Sequence, residues 1–392
     1  MRCGSRDRDG EKDIVMSKHG LVARRACCSL LVLGALFAQN AAMSQEPTDT
    51  QRWLEHAPLA PDFHAAKTRR AFEKQRAEVR ATLWQLLGKL PPRPRVPKVK
   101  TLSREDQGAY WLERFEFDNG AGATVPGMLL IPKNISGKAP AILWNHWHGG
   151  AYDLGKTALM EAKYTPAASG PTLAARGYVV LAIDSYCFGE RNGRGADALK
   201  GSAGEMSASK FNLWVGRTLW GMIVRDDLMA LDYLCSRPEV DARRIGVTGI
   251  SMGATRTWWL MALDDRPKAA VAVCCLTRYR DLIEAQGMHG HGIYYFVPGM
   301  LNHFDTEAVV ACIAPRAFLS LAGGDDAGSP VPGIRKIESA AGPAWRIFDK
   351  GDDFRSVIYP GVGHVYTPEM WQEMLGWFDS RLALETSAKP KK

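Results

Sequence analysis

From Ala141 onward the chain alternates short apolar runs with helical segments, and that rhythm leaves few folds open. The runs AILWNHW (141–147), YVVLAIDSY (178–186), RIGVTGI (244–250), AAVAVCC (269–275), AFLSLAGG (317–324) and SVIYPGV (356–362) are brief and apolar, with little polar alternation. Such runs read as strands buried on both faces. Helical patterns fall between them, near 219–236, 252–263, 333–348 and 367–385. Repeated βα alternation of this kind predicts an α/β domain, a mostly parallel sheet with helices on both faces. Upstream, the spacing of Phe72, Val79, Leu83, Leu86 and Leu87 predicts an amphipathic helix over 60–90. The linker PPRPRVPK (91–98) follows, then two strands over 110–117 and 125–131 joined by the turn DNGAG. Two stretches break the rhythm, 188–215 and 277–304. Both follow strand ends of the kind where open α/β sheets bind ligands, so both are expected to wall a pocket.

The organisation expected is a leader over 1–44, a helical extension and linker over 45–100, the sheet domain over 101–386 and a basic tail over 387–392. Arg24 and Arg25 precede an apolar run over 26–38, and Ala42-Met43-Ser44 offers small residues for cleavage before Gln45. That is the layout of a secretory signal peptide, with Met16 as an alternative start. The apolar run is short for a bilayer span, so export is expected rather than stable membrane insertion. The formal charge is +8, but residues 1–44 hold seven Lys/Arg against four Asp/Glu, and the remainder carries an excess of only five. With no basic stripe beyond 67–80, nucleic acid is not an expected partner. Five cysteines follow the leader: Cys187, Cys235, Cys274, Cys275 and Cys312. They read mostly as small buried apolar residues, with one disulfide allowed in an oxidising compartment.

The segment RIGVTGISMGA (244–254) places a serine between a strand and a helix, and Gly249-Ile250-Ser251-Met252-Gly253 is G-x-S-x-G, the nucleophile elbow. A serine hydroxyl is a weak nucleophile at neutral pH and needs a base oriented by an acid. Of four histidines after Ser251, His289, His291 and His303 precede the acidic pair Asp325-Asp326, and His364 follows it. Order and placement after strand ends therefore single out His364 and one of the two aspartates. Oxyanion donors are expected from the Met252 amide and from the glycine-containing loop NHWHGGAY (145–152).

VPGMLLIPKN (125–134), HWHGG (146–150), GISMGA (249–254), IAPRAFLSLAGGDD (313–326) and YPGVGH (359–364) carry a resemblance. From about residue 100 to 385 the chain resembles the α/β-hydrolase superfamily. More narrowly, it is similar to secreted bacterial esterases of the acetyl xylan esterase and dienelactone-hydrolase-like branch. The resemblance implies the α/β-hydrolase fold, Ser251 as nucleophile, His364 as base, and amides of His148 and Met252 as oxyanion donors. It also implies G-x-x-D-x-x-x-P, which counted from Gly323 puts the acid at Asp326 and the proline at Pro330. The chain has Trp147 where the usual HGxGG loop has glycine, and serine where dienelactone hydrolases proper have cysteine.

Other polar clusters read as structural. His146 with His148, and His289 with His291, lack the carboxylate or cysteine company of a metal site, and no cofactor is implied; His289 or His291 is instead a candidate to line the pocket. Glu190 and Arg191 are expected in ion pairs that pin a loop, Trp258 and Trp259 in the core, and Asp305 at a helix N-cap. The resulting expectation is a secreted serine esterase acting on a small-molecule or carbohydrate ester through an acyl-enzyme. Sugar acetates are favoured by the resemblance and by export. Two rivals stand beside it. A prolyl-oligopeptidase-like peptidase would need a propeller that 45–100 cannot supply, and an inactive binding module would not need an intact Ser/Asp/His set.

Overall fold

A computed structural model describes residues 47–94 and 96–383; the leader read over 1–44 and the tail read over 387–392 lie outside the described residues. The strands are β1 (Val99–Asp106), β2 (Tyr110–Asp118), β3 (Thr124–Pro132), β4 (Ala139–Asn145), β5 (Val179–Ile183), β6 (Val240–Ile250), β7 (Ala269–Val273), β8 (Ala317–Gly323) and β9 (Phe354–Tyr359). They form one sheet in the order β1-β2-β3-β5-β4-β6-β7-β8-β9. β1, β2, β3 and β5 pair antiparallel in turn, and every pairing from β5 through β4 to β9 is parallel.

The helices are α1 (Asp49–His56), α2 (Arg69–Leu87), α3 (Ser169–Ala175), α4 (Gly201–Trp214), α5 (Leu219–Ser236), α6 (Met252–Leu263), α7 (Tyr279–Glu284), α8 (Thr306–Ala311), α9 (Val331–Ala341), α10 (Pro343–Arg346) and α11 (Pro368–Arg381). The buried strands present alternate side chains to two apolar layers. Leu173 of α3 and Met370, Trp371, Met374 and Phe378 of α11 fill one layer. The other takes Phe72, Leu83 and Leu87 of α2 with side chains of α5, α6, α8 and α9. Trp258 and Trp259 are fully buried there. Asp305 caps α8 by accepting from the Thr306 amide at 2.7 Å, and it also accepts from the Tyr279 and Arg280 amides. All five described cysteines are unpaired.

Four sequence expectations change. The helix expected over 60–90 is α2, which begins at Arg69, not near 60: Thr68 caps it, and the Gln75 side chain bonds Ala66 N and His64 O, folding residues 64–66 back along it. β1 was not expected because its sequence is polar and largely exposed, as an edge strand needing only β2 allows. α4 lies inside 188–215, where Gly201, Gly204 and serines weaken any helical signal. The segment 333–348 divides at Gly342, because Pro343 has no N–H with which to continue α9.

β5 and β6 flank β4, so the order of strands reverses about β4. A crevice opens at such a reversal, outside the carboxyl ends of the strands. Ser251 leaves β6 at that end and the 146–150 loop leaves β4 beside it.

Candidate active site

Ser251 occupies the corner between β6 and α6 with φ 60° and ψ −121°, a conformation costly for a residue with a Cβ. The glycines on either side have a packing reason. A Cβ at Gly253 would stand 2.1 Å from Asn145 O and one at Gly249 2.5 Å from the same oxygen, so α6 can start directly against the end of β4 only without them. Ser251 N donates to Val273 O at 2.9 Å, fixing the corner on β7.

Asp326 stands in the turn after β8 and is buried, while Asp325 is exposed. Its Oδ1 accepts from Gly328 N at 2.9 Å and its Oδ2 faces His364 Nδ1 at 2.7 Å. His364 follows β9, and its Nε2 lies 2.9 Å from Ser251 Oγ. The fold thus brings three residues from the ends of three strands into one chain of hydrogen bonds. His291, one of two histidines read from the sequence as candidates to line the pocket, supports the acid: its Nε2 donates to Gly328 O at 3.0 Å and its ring stacks on Tyr295. Burial lowers the pKa of its imidazole, which suits a neutral ring donating one N–H. His289 is exposed and bonds only Gln286 O.

The loop after β4 is held from both sides. Ser185 N donates to His146 Nε2 at 3.1 Å, so His146 Nδ1 carries the proton and donates to Trp147 O at 2.9 Å. Trp147 is buried against Trp144 and Tyr164. His148 Nε2 lies 3.1 Å from Glu205 Oε2 and 2.9 Å from the Tyr152 hydroxyl, which donates to the same carboxylate. Glu205, on α4, had no signal in the sequence, since its partners come from a separate loop. Met252, the other expected donor residue, is the first residue of α6, where a backbone N–H has no partner within the helix. Glu190 and Arg191 do pin their loop, though with separate partners: Lys156 at 2.6 Å and Asp226 at 2.9 Å.

Burial, with the Arg256 guanidinium next, holds the His146 pKa well below the usual histidine range. The unfolded chain then takes the proton first, so this residue stabilises the fold above about pH 6.5 and that contribution fades as pH falls below it. In urea titrations at about pH 7.5 and 5.5, His146→Gln should lose less of its midpoint on acidification than the parent protein. Equal losses in the two proteins would sink this reading.

Cys274, Asp326 and His364 each offer a donor atom within 4.8 Å of the others. The donors do not suit a metal. The Cys274 thiol donates to Val365 O, burial and then Asp326 push its pKa far up, and the facing Asp326 and His364 atoms are already bonded to each other. Both ring nitrogens of His146, and Nε2 of His148, are likewise taken up by Trp147, Ser185, Tyr152 and Glu205.

The sequence model of the Abhydrolase family matches residues 49–332, most of the chain and all of the region from α1 to the Asp326 turn. The chain belongs to the Abhydrolase family. YtaP of Bacillus subtilis (strain 168), named as a hydrolase, is 39% identical over 295 residues, covering 74% of this chain and 95% of YtaP. A glucuronoyl esterase from Solibacter usitatus superposes with a TM-score of 0.63 at 18% identity, over 81% of this chain and 95% of that one. Acetyl xylan esterase 1 from Thermoanaerobacterium sp. JW/SL YS485 does so at 0.52 and 17% identity, over 82% and 97%. At these identities the two structures share the α/β-hydrolase fold with this Abhydrolase family member. In it, a cavity of about 480 Å³ opens beside Ser251 and His364, walled by Trp147, Lys163, Tyr164 and Tyr366. Among the described residues no helix is long and apolar enough to cross a membrane.

Proposed function

We propose that this protein is a serine esterase that cleaves carboxylic esters through an acyl-enzyme. The observation that carries the reading is the relay Ser251 Oγ, His364 and Asp326, with contacts of 2.9 and 2.7 Å, at an elbow whose serine is held at positive φ. In this reading His364 Nε2 takes the Ser251 proton as Oγ attacks the ester carbonyl. Asp326 Oδ2 accepts from Nδ1–H, which fixes the tautomer and stabilises the imidazolium. The backbone amides of Met252 and His148 receive the oxyanion. His364 next protonates the departing alcohol, then activates water to release the acid. No step calls for a cofactor.

Carbohydrate esters are the proposed substrate class, with sugar acetates foremost. The aromatic walls of the cavity and the carbohydrate-esterase names of structures with the same fold support this. Initial rates on p-nitrophenyl acetate, a longer acyl ester and acetylated xylan test it. Turnover of acetate esters with little of the longer ester is expected, and no hydrolysis of any of the three would end the esterase reading.

Export belongs to the same proposal. Mature protein from the periplasm or medium of a bacterial host should begin near Gln45, after the small residues Ala42 and Ser44. N-terminal sequencing that returns Met1 or Met16 from that fraction counts against it.

A further inference from the structure

A second cavity, of about 510 Å³, lies away from Ser251, between the β2–β3 turn, the segment after β5 and the end of α4. Its volume falls within the range of small-molecule sites, about 300–1,000 Å³. Three guanidinium groups, Arg191, Arg194 and Arg217, line it, and no Asp or Glu does. Asp226, behind the wall, pairs with Arg191 at 2.9 Å and is itself fully buried. Arg191 is buried too, lies 3.7 Å over the Tyr186 ring, and its Nη2 has no hydrogen-bond partner. Arg194 and Arg217 have no carboxylate partner among the described residues; Arg217 spends only its Nε, on Asn212 Oδ1 at 2.7 Å. Two cations are therefore in surplus over one buried acid, in a concave site. The remaining wall includes the half-exposed ring of Phe211; the buried Asn212 amide is spent on Ala208 O and Arg217 Nε and serves to hold Arg217 in place.

We propose that this cavity binds an acidic sugar, a ligand with one carboxylate on a compact hydroxylated ring. Planar guanidinium forks match a carboxylate, and several donors on one anion make the strong class of hydrogen bond. The exposed Phe211 ring suits the apolar face of a sugar ring, while the guanidinium N–H groups of Arg194 and Arg217 not used within the protein can meet its carboxylate and edge hydroxyls. The site is separate from the ester chemistry and would stand whether or not Ser251 is a nucleophile.

Isothermal titration calorimetry with glucuronate, glucose, inorganic phosphate and sulfate tests it. Saturable binding of glucuronate is expected, with glucose and both inorganic ions about tenfold weaker or more. The double variant Arg194→Ala/Arg217→Ala should lose about tenfold in glucuronate affinity. Circular dichroism checks its fold, and Arg194→Gln, at an exposed position, gives a second reading if the double variant does not fold. Binding should also weaken as salt is raised. No saturable heat, equal affinity in parent and variants, or phosphate or sulfate binding as tightly as glucuronate would each overturn the assignment. So would a loss of affinity that follows Lys163→Ala, in the Ser251 cavity, instead.

Discussion

Ser251→Ala should abolish ester hydrolysis while leaving the protein folded. Alanine keeps the Cβ, so the backbone at φ 60° carries the same strain as before, and the Ser251 N bond to Val273 is untouched. What disappears is Oγ, the atom facing His364 Nε2 at 2.9 Å. Loss of the nucleophile from a triad that acts as a unit costs about 10⁶ in kcat. Rates on p-nitrophenyl acetate measure the effect, and circular dichroism checks the fold. A fluorophosphonate should label the parent protein at Ser251 and fail to label the variant. A variant that keeps a tenth of the parent rate would end the serine-hydrolase reading.

The second large effect separates two adjacent aspartates. Asp326 is buried, with one oxygen on Gly328 N and the other on His364 Nδ1, whereas Asp325 is exposed and bonds the Val362 carbonyl only through its backbone N–H. Asp326→Asn keeps the size of the side chain but can present an N–H to Nδ1, which favours the wrong imidazole tautomer. A fall in kcat of about 10⁴ is expected. Asp325→Asn touches none of these contacts and should change kcat by less than about tenfold. Steady-state rates of the two variants side by side decide it, and the reverse order would mean that Asp325 is the acid.

Much of the fold was legible in the sequence because its cause is local. A strand buried on both faces must be apolar throughout, so the runs ending at Asn145, Ile183, Ile250, Val273 and Gly323 announce themselves. The run ending at Tyr359 was read the same way, but β9 is an edge strand with no fully buried residue, since only β8 pairs with it. The elbow is legible for a similar reason: a strained corner between strand and helix needs glycine on either side, and that need fits in five residues. Chain order then narrows the partners to His364 and an aspartate, and the resemblance picks Asp326. The polar β1 and glycine-containing α4 gave no such signal, since each is held by what lies beside it rather than by its own propensity.

The sequence by itself determined the class of fold and the three residues most fit to form a relay, because strand burial and the elbow's steric needs are written in short stretches of chain. Only the tertiary structure decided what surrounds them. His291 meets Gly328 across 37 positions, Glu205 meets His148 across 57, and Arg191 meets Asp226 across 35. Such pairs arise from the packing of separate loops over the strand ends. No periodicity along the chain records them, since each residue's neighbours are set by where other segments come to rest.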